Sequence, residues 1–403
     1  MYKKMRNDFP FFKYNKDIIY FDSASTSLKL NSVIESTSNY YKKNGANVHR
    51  GVYQLAEDAT SLFEETRTNL ALLLNCDREE VIFTKGTTDS LNNIATSLAE
   101  FINEGDEIIT SELEHHSSLL PWQVISNRKN AKLVYVPLTD EGKITLDNFI
   151  KVLTPKTKIV ALNHVSNALG FLTPIKDIVK AVRSFNKDII VILDGAQSVS
   201  HKKIDVKDLD IDFLAFSAHK MYGPNGVGVM YGKRALLEKI EPFEYGGEMA
   251  SIVDFTSYTY KELPYKFEAG TPNIAGVIGF NPAVRYLLDN DLDEIFAYEM
   301  SLKDYLLSEL IKNDDIDIYN VNTDSPVITF NVKTIHPHDI ASVLSTKGIS
   351  LRAGHHCAQL VNKRIEQIST LRISFAVYNS KDEIDKFIVA LNETIDFFKE
   401  FGI

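Results

Sequence analysis

Apolar and polar positions follow two different patterns along residues 53–240. Short continuous apolar runs are typical of strands that are buried on both faces of a sheet, and the longer segments between them have the spacing of helices. Two examples of such helices are Thr88 to Phe101 and Ile175 to Phe185. This alternation predicts an α/β fold with one mainly parallel sheet. Its seven predicted strands are Val81 to Thr84, Glu107 to Thr110, Leu133 to Val136, Ile159 to Leu162, Ile189 to Leu193, Phe213 to Phe216 and Val227 to Tyr231.

The pattern changes after about residue 281, where two long helical segments flank a few strand-like runs. The runs are Val327 to Val332, Ile349 to Arg352 and Leu371 to Ala376, and a capping box at Ser380 to Glu383 predicts the start of the last helix. At 403 residues the chain also exceeds the size at which one core usually stops growing. We therefore predict a large α/β domain over residues 20–282 and a smaller α+β domain formed by residues 1–19 and 283–403.

Composition excludes several classes of function. A formal net charge of −10 disfavours a nucleic-acid or anionic-membrane surface. No apolar run approaches the ~20 residues of a membrane span, and the start of the chain lacks the features of a signal peptide, so we expect a cytoplasmic protein. Cys76 and Cys357 are the two cysteines, which excludes a disulfide framework and a cysteine-only zinc site within one chain.

Two reactive side chains follow predicted strands of the same sheet. Asp194 follows Ile189 to Leu193, and Lys220 ends the strand-like run from Asp212 to Lys220. Ligands of open α/β sheets bind beyond the carboxyl ends of the strands. An amine that can form a Schiff base and a carboxylate that can hold a protonated pyridine nitrogen are what pyridoxal phosphate (PLP) requires of a protein. The sequence therefore predicts a PLP site, although an Asp-Gly pair is also common in turns.

Glycines near these residues have two interpretations. Gly86, Thr87 and Thr88 follow a strand and open a helix, which suits a phosphate, while an ordinary helix cap is the alternative. Gly223 to Gly228 resembles a nucleotide loop, but it runs into a strand pattern instead of opening a helix. We therefore expect these later glycines to shape the loop after Lys220.

His115 and His116 also admit more than one interpretation. With Glu112 and Glu114 they could bind a metal, or they could be a surface pair. We favour an imidazole that lies flat on the cofactor ring and relays protons, because the PLP signals lie nearby.

Cys357 and Arg372 point to substrate chemistry. Cys357 lies in a short loop beside an arginine and two histidines, surroundings that favour the nucleophilic thiolate, whereas Cys76 ends an apolar helix and is expected to be structural. Arg372 lies in an apolar strand, where a guanidinium suits a substrate carboxylate; an internal ion pair is the alternative.

These motifs together resemble the group II (SUF-type) cysteine desulfurases, including selenocysteine lyase-like members, of the class V aminotransferase family, which are fold-type I PLP-dependent transferases. The resemblance runs almost from end to end. Ala218, Lys85 and Leu360 depart from the residues that many relatives have, and residues 360–369 match poorly. The matching segments are Tyr20 to Ala24, Asn47 to Gly51, Gly86 to Thr88, Glu114 to His116, His164 to Asn167, Asp194 to Gln197, Ser217 to Lys220, Phe267 to Asn273 and Arg352 to Ala358.

The resemblance implies roles for individual residues. Lys220 binds PLP covalently and acts as a base, Cys357 is the nucleophile that forms a persulfide, and His115 stacks on the ring. The implied contacts to the rest of the cofactor are Asp194 to the pyridinium, Gln197 to the ring hydroxyl, and Thr87, Thr88, Ser217, His219 and the neighbouring subunit's Gly270 and Thr271 to the phosphate. The implied substrate-binding residues are His49, Asn167, Arg352 and Arg372, and no metal is implied.

The implied reaction converts L-cysteine, or L-selenocysteine, to L-alanine, with the sulfur held on Cys357. The implied partners are a second copy of the chain, in a homodimer with shared sites, and a SufE-like or SufU-like sulfur acceptor in iron–sulfur cluster assembly. A selenocysteine lyase or another class V aminotransferase-like enzyme is the alternative within enzymes. A non-catalytic PLP-binding partner of a sulfur-transfer complex is the alternative outside them, and the presence of Lys220, Asp194, Arg372 and Cys357 together argues against it.

Overall fold

The computed structural model describes residues 5–400 of the chain. Their strands lie at β1 (Ile19–Tyr20), β2 (Val81–Thr84), β3 (Glu107–Thr110), β4 (Lys132–Tyr135), β5 (Thr157–Asn163), β6 (Ile190–Asp194), β7 (Phe213–Ser217), β8 (Gly228–Gly232), β9 (Ala250–Val253), β10 (Tyr258–Tyr260), β11 (Ile316–Ile318), β12 (Val327–Val332), β13 (Ile349–Ser350), β14 (Arg352–Gly354) and β15 (Thr370–Ser374).

The helices alternate with these strands in the first part of the chain and flank them in the second. They lie at α1 (Phe11–Tyr14), α2 (Asn31–Asn39), α3 (Gln54–Leu74), α4 (Thr87–Leu98), α5 (His116–Lys129), α6 (Leu146–Ile150), α7 (Ile175–Phe185), α8 (Val206–Leu209), α9 (Arg234–Leu237), α10 (Ile274–Asp289), α11 (Leu292–Leu310), α12 (Pro337–Thr346), α13 (Gln359–Arg364) and α14 (Lys381–Glu400). No helix of residues 5–400 is both long enough and apolar enough to cross a bilayer.

The seven predicted strands form one central sheet, which confirms the α/β fold class. The strand order is β2-β8-β7-β6-β5-β3-β4, and β8 alone runs antiparallel to its neighbours. Residues 218–227, which separate β7 from β8, are too few for the crossover that a parallel connection needs. Every residue of β6, β7 and β8 is buried, as the continuous apolar runs indicated.

The carboxyl ends of the parallel strands meet at one edge of this sheet. Asn163 at the end of β5 lies beside Asp194 at the end of β6, and Asp194 lies beside Ala215 in β7. β7 ends at Ser217, and a single 3₁₀ turn then carries Lys220. The edge therefore brings together the two side chains from which the sequence predicted a PLP site.

A second, four-stranded antiparallel sheet has the order β11-β12-β15-β14. The prediction of one strand from Ile349 to Arg352 is wrong, because the backbone changes partner within it. β13 pairs in parallel with β1, whereas β14 pairs with β15 in the four-stranded sheet. The sequence patterns missed β1, β9, β10 and β11, which are short and are not fully buried.

The last helix begins as the capping box predicts. The Ser380 amide donates to Glu383 Oε2 at 3.0 Å, and the Glu383 amide donates to Ser380 Oγ at 3.3 Å. α14 then packs its apolar stripe against the four-stranded sheet, where Phe387 and Leu391 are buried. The predicted boundary at residue 282 falls inside α10, and the domain limits stay a prediction.

Candidate active site

A cavity of about 250 Å³ is lined by residues from both sheets. It contains most of the predicted site residues, namely Thr87, Thr88, His115, Asn167, Asp194, Gln197, Ser217, His219, Lys220, Arg352, Cys357 and Arg372. Sequence reasoning had not assigned a role to seven other lining residues, which are Ala24, Ser25, Ser117, Asn163, Val165, Ala196 and His356. Asn163 and Ser117 could have been found from their positions, since one ends a strand and the other opens a helix.

Lys220 and Asp194 are coupled by charge in this cavity. Loss of hydration on burial lowers the pKa of Lys220 to about 8, and the nearby Asp194 charge partly opposes this shift. Burial raises the pKa of Asp194, whose Oδ1 accepts a hydrogen bond from the Ala196 amide at 2.9 Å. A buried carboxylate of this kind is stabilised by a cationic partner, and a protonated pyridine nitrogen is one.

The first turn of α4 forms the end of the cavity that suits a phosphate. The Thr87 amide donates to Ser217 Oγ at 2.7 Å, and the Thr88 hydroxyl lies 2.6 Å from that of Ser117. Gly86 and Gly228 allow this close packing, because a Cβ on Gly228 would lie 2.4 Å from Gly86 Cα. Hydroxyl groups around a helix N-terminus are the donor set that binds phosphate, so the residues fit this part of PLP.

His115 caps the N-terminus of α5 and faces the cavity as a neutral imidazole. Its Nδ1 accepts a hydrogen bond from the Ser117 amide at 3.0 Å, which places the ring proton on Nε2. Burial, followed by the charge of Lys220, lowers the pKa of His115 to about 3.

The carboxylates near His115 have protein partners of their own. Glu114 is buried among Ser111, Ser118 and the Asn163 amide, and Glu112 forms an ion pair with Arg364. Among residues 5–400, no three histidine, cysteine or acidic side chains are grouped so that they could bind a metal ion. The metal interpretation of this segment therefore has no geometric support.

Cys357 lies exposed in a tight loop between β14 and α13. His356 and Cys357 are both left-handed, with φ of 53° and 54°. Two hydrogen bonds hold the loop: Asn167 Nδ2 donates to the His356 carbonyl at 2.7 Å, and the His116 amide donates to the Cys357 carbonyl at 2.8 Å. Cys76 differs, because burial raises the pKa of its thiol to about 12.

Two arginines share one carboxylate beside the Cys357 loop. Arg372 Nη2 donates to Asp22 Oδ1 at 3.3 Å, and Arg352 Nε donates to the same oxygen at 3.1 Å. Burial lowers the pKa of Arg372 to about 10, which leaves it cationic at neutral pH. Two guanidiniums around one carboxylate leave net positive charge for a substrate carboxylate. The sequence did not indicate Asp22 as a site residue, although it lies in the matching motif Tyr20 to Ala24.

Buried polar atoms near the cavity also fit a bound polar molecule. Arg372 Nε and Asn167 Oδ1 have no hydrogen-bond partner within the described part of the chain. One is a donor and the other is an acceptor, and both residues line the cavity. An amino acid with its carboxylate toward the arginines would present an acceptor for the arginine and, in its amino group, a donor for the asparagine oxygen.

Three predicted site residues lie outside this cavity within one chain. His49 Nε2 lies 3.1 Å from Glu64 Oε1, and its ring packs edge-on against Tyr265, so it does not line the cavity of its own chain, and its implied role in substrate binding stays a prediction. Gly270 and Thr271 also lie elsewhere, and their implied role in a neighbouring subunit stays a prediction.

Comparison with known proteins points to one family for the chain. The profile of the aminotransferase class-V family matches residues 19–387. A probable cysteine desulfurase of Halalkalibacterium halodurans is 45% identical over 383 residues, which cover 94% of each chain. The chain also superposes on the cysteine desulfurase CsdA of Escherichia coli with a TM-score of 0.92, at 36% identity and with 98% and 99% of the two chains covered. The apo cysteine desulfurase of Thermococcus onnurineus gives a TM-score of 0.93 at 38% identity, with 98% of each chain covered.

Proposed function

The chain belongs to the class-V aminotransferase family, and from this membership and the geometry of the cavity we propose how it acts as a PLP-dependent cysteine desulfurase. The substrate is L-cysteine, the product is L-alanine, and the sulfur stays on Cys357 as a persulfide. One observation carries this proposal: an exposed thiol, Cys357, lines the same cavity as Lys220 and Asp194.

The cavity residues divide the binding of PLP among them. Lys220 would hold it covalently, Asp194 would pair with the pyridine nitrogen, and His115 would lie against the ring. Gln197 already donates one amide hydrogen to the Ala24 carbonyl at 2.7 Å and keeps a second for the ring hydroxyl. The phosphate would bind at the hydroxyls of Thr87, Thr88 and Ser217, beside His219. When bound, PLP supplies an electron sink that makes the Cα proton of an amino acid acidic.

The arginines beside the Cys357 loop orient the substrate. Arg372 is held by Asp22 and by the Asn167 carbonyl, which accepts a hydrogen bond from Nη1 at 2.8 Å. A guanidinium fixed in this way can bind a carboxylate without further ordering of its side chain. Arg352 and the Asn167 amide lie beside it and complete the proposed carboxylate site.

Lys220 acts as the base in this proposal. With its pKa lowered to about 8, about a tenth of its amine is neutral at pH 7, far more than for an ordinary lysine, and that fraction can take the Cα proton of the substrate. His115 cannot serve as this base in the observed state, because its Nδ1 lone pair is engaged by the Ser117 amide. Its Nε2–H can instead donate.

Cys357 breaks the carbon–sulfur bond. Its thiolate attacks the substrate sulfur, an S–S bond forms, and the electron pair of the broken C–S bond leaves with the substrate carbon, which is then protonated. The balance is L-cysteine plus one protein thiol giving L-alanine plus one protein persulfide. Because the thiol is exposed, the outer sulfur remains accessible to a second thiol.

The proposal includes two protein partners. A homodimer would place Gly270 and Thr271 at the phosphate of the neighbouring subunit, and the exposed Val253 and Phe255 of the β9–β10 hairpin support a contact surface there. The sulfur acceptor would be a SufE-like or SufU-like protein that serves iron–sulfur cluster assembly. The cytoplasmic location expected from the sequence stays a prediction.

Two variants separate the proposed roles of the cavity residues. Lys220→Ala should lose covalent cofactor binding and all alanine formation, because no amine remains at that strand end. Cys357→Ala should keep the coloured cofactor and lose persulfide formation. Alanine release from L-cysteine and L-selenocysteine, with visible absorbance of the cofactor, measures both effects. If Cys357→Ala turned over L-cysteine at the wild-type rate, the assignment of Cys357 as the nucleophile would be wrong. If Cys357→Ala matched the wild type with L-selenocysteine but not with L-cysteine, the result would favour a selenocysteine lyase.

A further inference from the structure

Glu114 is a buried carboxyl group that the proposed mechanism does not use. Its exposed fraction is 1%. Oε1 accepts hydrogen bonds from Ser111 Oγ at 2.7 Å and from the Asn163 amide at 3.0 Å, and Oε2 accepts one from Ser118 Oγ at 2.8 Å. A buried carboxyl group with three donors is costly to assemble, so the contacts that it makes must hold these segments in one arrangement.

The three donors come from different elements. Ser111 directly follows β3, Ser118 lies in the first turn of α5, and Asn163 ends β5. A further hydrogen bond, from Asn163 Nδ2 to the Leu113 carbonyl at 2.8 Å, ties the same turn to β5. Glu114 therefore fixes the turn between β3 and α5 relative to the sheet edge that carries Asp194.

The same turn carries the two residues that follow Glu114 in the chain. His115 lines the cavity, and the His116 amide donates to the Cys357 carbonyl at 2.8 Å. A shift of Glu114 would move both of these residues, because the three are consecutive in the chain and the helix α5 begins at His116. One buried carboxyl group thus lies behind both the imidazole and the Cys357 loop.

We propose that Glu114 is a positioning residue, which sets His115 against the cofactor ring and, through His116, fixes the Cys357 loop. This assignment rests on the proposed function for the roles of His115 and Cys357. Glu114 itself touches neither the cavity nor any reacting atom. Burial, and to a smaller extent the charge of Asp194, raises the pKa of Glu114 to about 7, so a role that depends on shape should survive replacement by a neutral isostere.

Three variants test this role. Glu114→Gln keeps the shape, because its amide oxygen can accept from Ser111 and Asn163 while its amide nitrogen donates to Ser118 Oγ. Glu114→Ala removes all three contacts. Glu112→Ala is the matched control two residues away, since Glu112 is partly exposed and makes a surface ion pair with Arg364.

We expect Glu114→Ala to lower kcat by about 10- to 100-fold with little change in KM for cysteine, because misplacement of reacting groups acts on the transition state. Glu114→Gln and Glu112→Ala should stay within about threefold of the wild type. Apo Glu114→Ala should also bind PLP more weakly, and its Cys357 should be alkylated at a changed rate, while Cys76 in the same chain serves as the internal control.

The alkylation and PLP-binding measurements on apo protein do not require turnover. They therefore test the positioning role of Glu114 even if the wild type forms no alanine. A wild type that forms no alanine would contradict the proposed function, not the role of Glu114. If Glu114→Ala does not fold, Ser118→Ala removes one of the three contacts and should give smaller changes in the same directions. Two results would overturn the proposal. One is a Glu114→Ala variant that loses thermal stability but keeps wild-type kcat, PLP affinity and Cys357 alkylation, which would show a merely structural role. The other is an equal loss of kcat in Glu114→Gln and Glu114→Ala.

Discussion

Burial changes the acid–base behaviour of two residues at the sheet edge in opposite directions. It lowers the pKa of Lys220 to about 8 and raises that of Asp194, because each loses the hydration of its charged form. Each residue also partly restores the charge of the other. Burial therefore favours a neutral amine at Lys220, and it leaves the Asp194 carboxylate in a place where a cationic partner would stabilise it.

The pH dependence of cofactor addition tests this pairing. The rate at which apo protein binds PLP covalently should rise with pH and level off above about 8, since only the neutral amine of Lys220 reacts. Asp194→Asn should move the midpoint to lower pH, because the Asp194 charge favours the protonated amine. Visible absorbance after mixing measures the rate. A midpoint near that of an ordinary lysine, or an upward shift in Asp194→Asn, would contradict this account.

Single residues differ in how far the sequence could identify them. Lys220 and Asp194 follow apolar runs, so position along the chain was sufficient to place them at one sheet edge. Asp22 and Glu114 gain their importance from partners that are far away in sequence, such as Arg372 and Asn163. No local pattern reports such pairings, and the sequence suggests a role for Glu114 only as a metal ligand, although the residue lies in a matching segment.

At the scale of elements, the Cys357 loop is a short strained connection held from both sides. Two consecutive residues other than glycine have a left-handed backbone here, and this conformation costs roughly 1–2 kcal/mol for each of them. The loop keeps this conformation through the Asn167 and His116 contacts and through His356, whose Nε2 lies 2.9 Å from Thr370 Oγ1 on β15. The sequence predicted that the loop is short, but it could not predict which elements hold it or that residues 359–364 form α13.

Thr370→Val tests whether His356 anchors this loop. The substitution keeps the side-chain shape and leaves the His356 nitrogen without its hydroxyl partner, which should cost about 1–3 kcal/mol. Hydrogen exchange at the Cys357 amide should rise by about fivefold or more, and single-turnover persulfide formation should slow. Ser342→Ala, which removes an exposed hydroxyl on α12, is the control. Unchanged exchange at Cys357 would show that His356 does not anchor the loop.

At the scale of the whole molecule, a buried ion pair joins segments that lie far apart in the chain. Arg67 on α3 donates from Nη1 and Nη2 to both oxygens of Glu268, at 2.7 and 2.9 Å, and also to the Val81 carbonyl of β2. The Phe83 amide of β2 donates to Glu268 Oε1 at 2.8 Å. The pair therefore binds the outer edge of the central sheet to the segment that leads to Gly270.

Loss of one partner in this pair should be costly. Glu268→Ala would remove the bidentate partner of a guanidinium that is 1% exposed and leave it paired with Glu64, which accepts from Arg67 Nε at 2.9 Å, so we expect the free energy of unfolding to fall by about 1–3 kcal/mol. Glu244→Ala removes the partner of Lys85 in an exposed ion pair and should change the free energy of unfolding by less than about 1 kcal/mol. Denaturant unfolding of the two variants compares these effects. Equal losses of unfolding free energy in the two variants would contradict the expectation that a buried ion pair matters more than an exposed one.

The architecture as a whole was more predictable than its connections. Continuous apolar runs identified the seven strands of the central sheet, because strands buried on both faces need apolar residues throughout. The change of partner between β13 and β14 and the exposed β9–β10 hairpin depend on long-range pairing, which local hydrophobic patterns do not report. The location of His49 outside the cavity had the same origin, since its surroundings come from α3 and from residue 265.

The most direct test of the central claim is mass spectrometry of the PLP-loaded protein after L-cysteine is added. The account predicts a mass increase of one sulfur atom that maps to the peptide containing Cys357, is removed by a reductant, and is absent from Cys357→Ala. Alanine should appear in step with it. Alanine formation without added sulfur on Cys357, or sulfur that maps to Cys76 instead, would contradict the account.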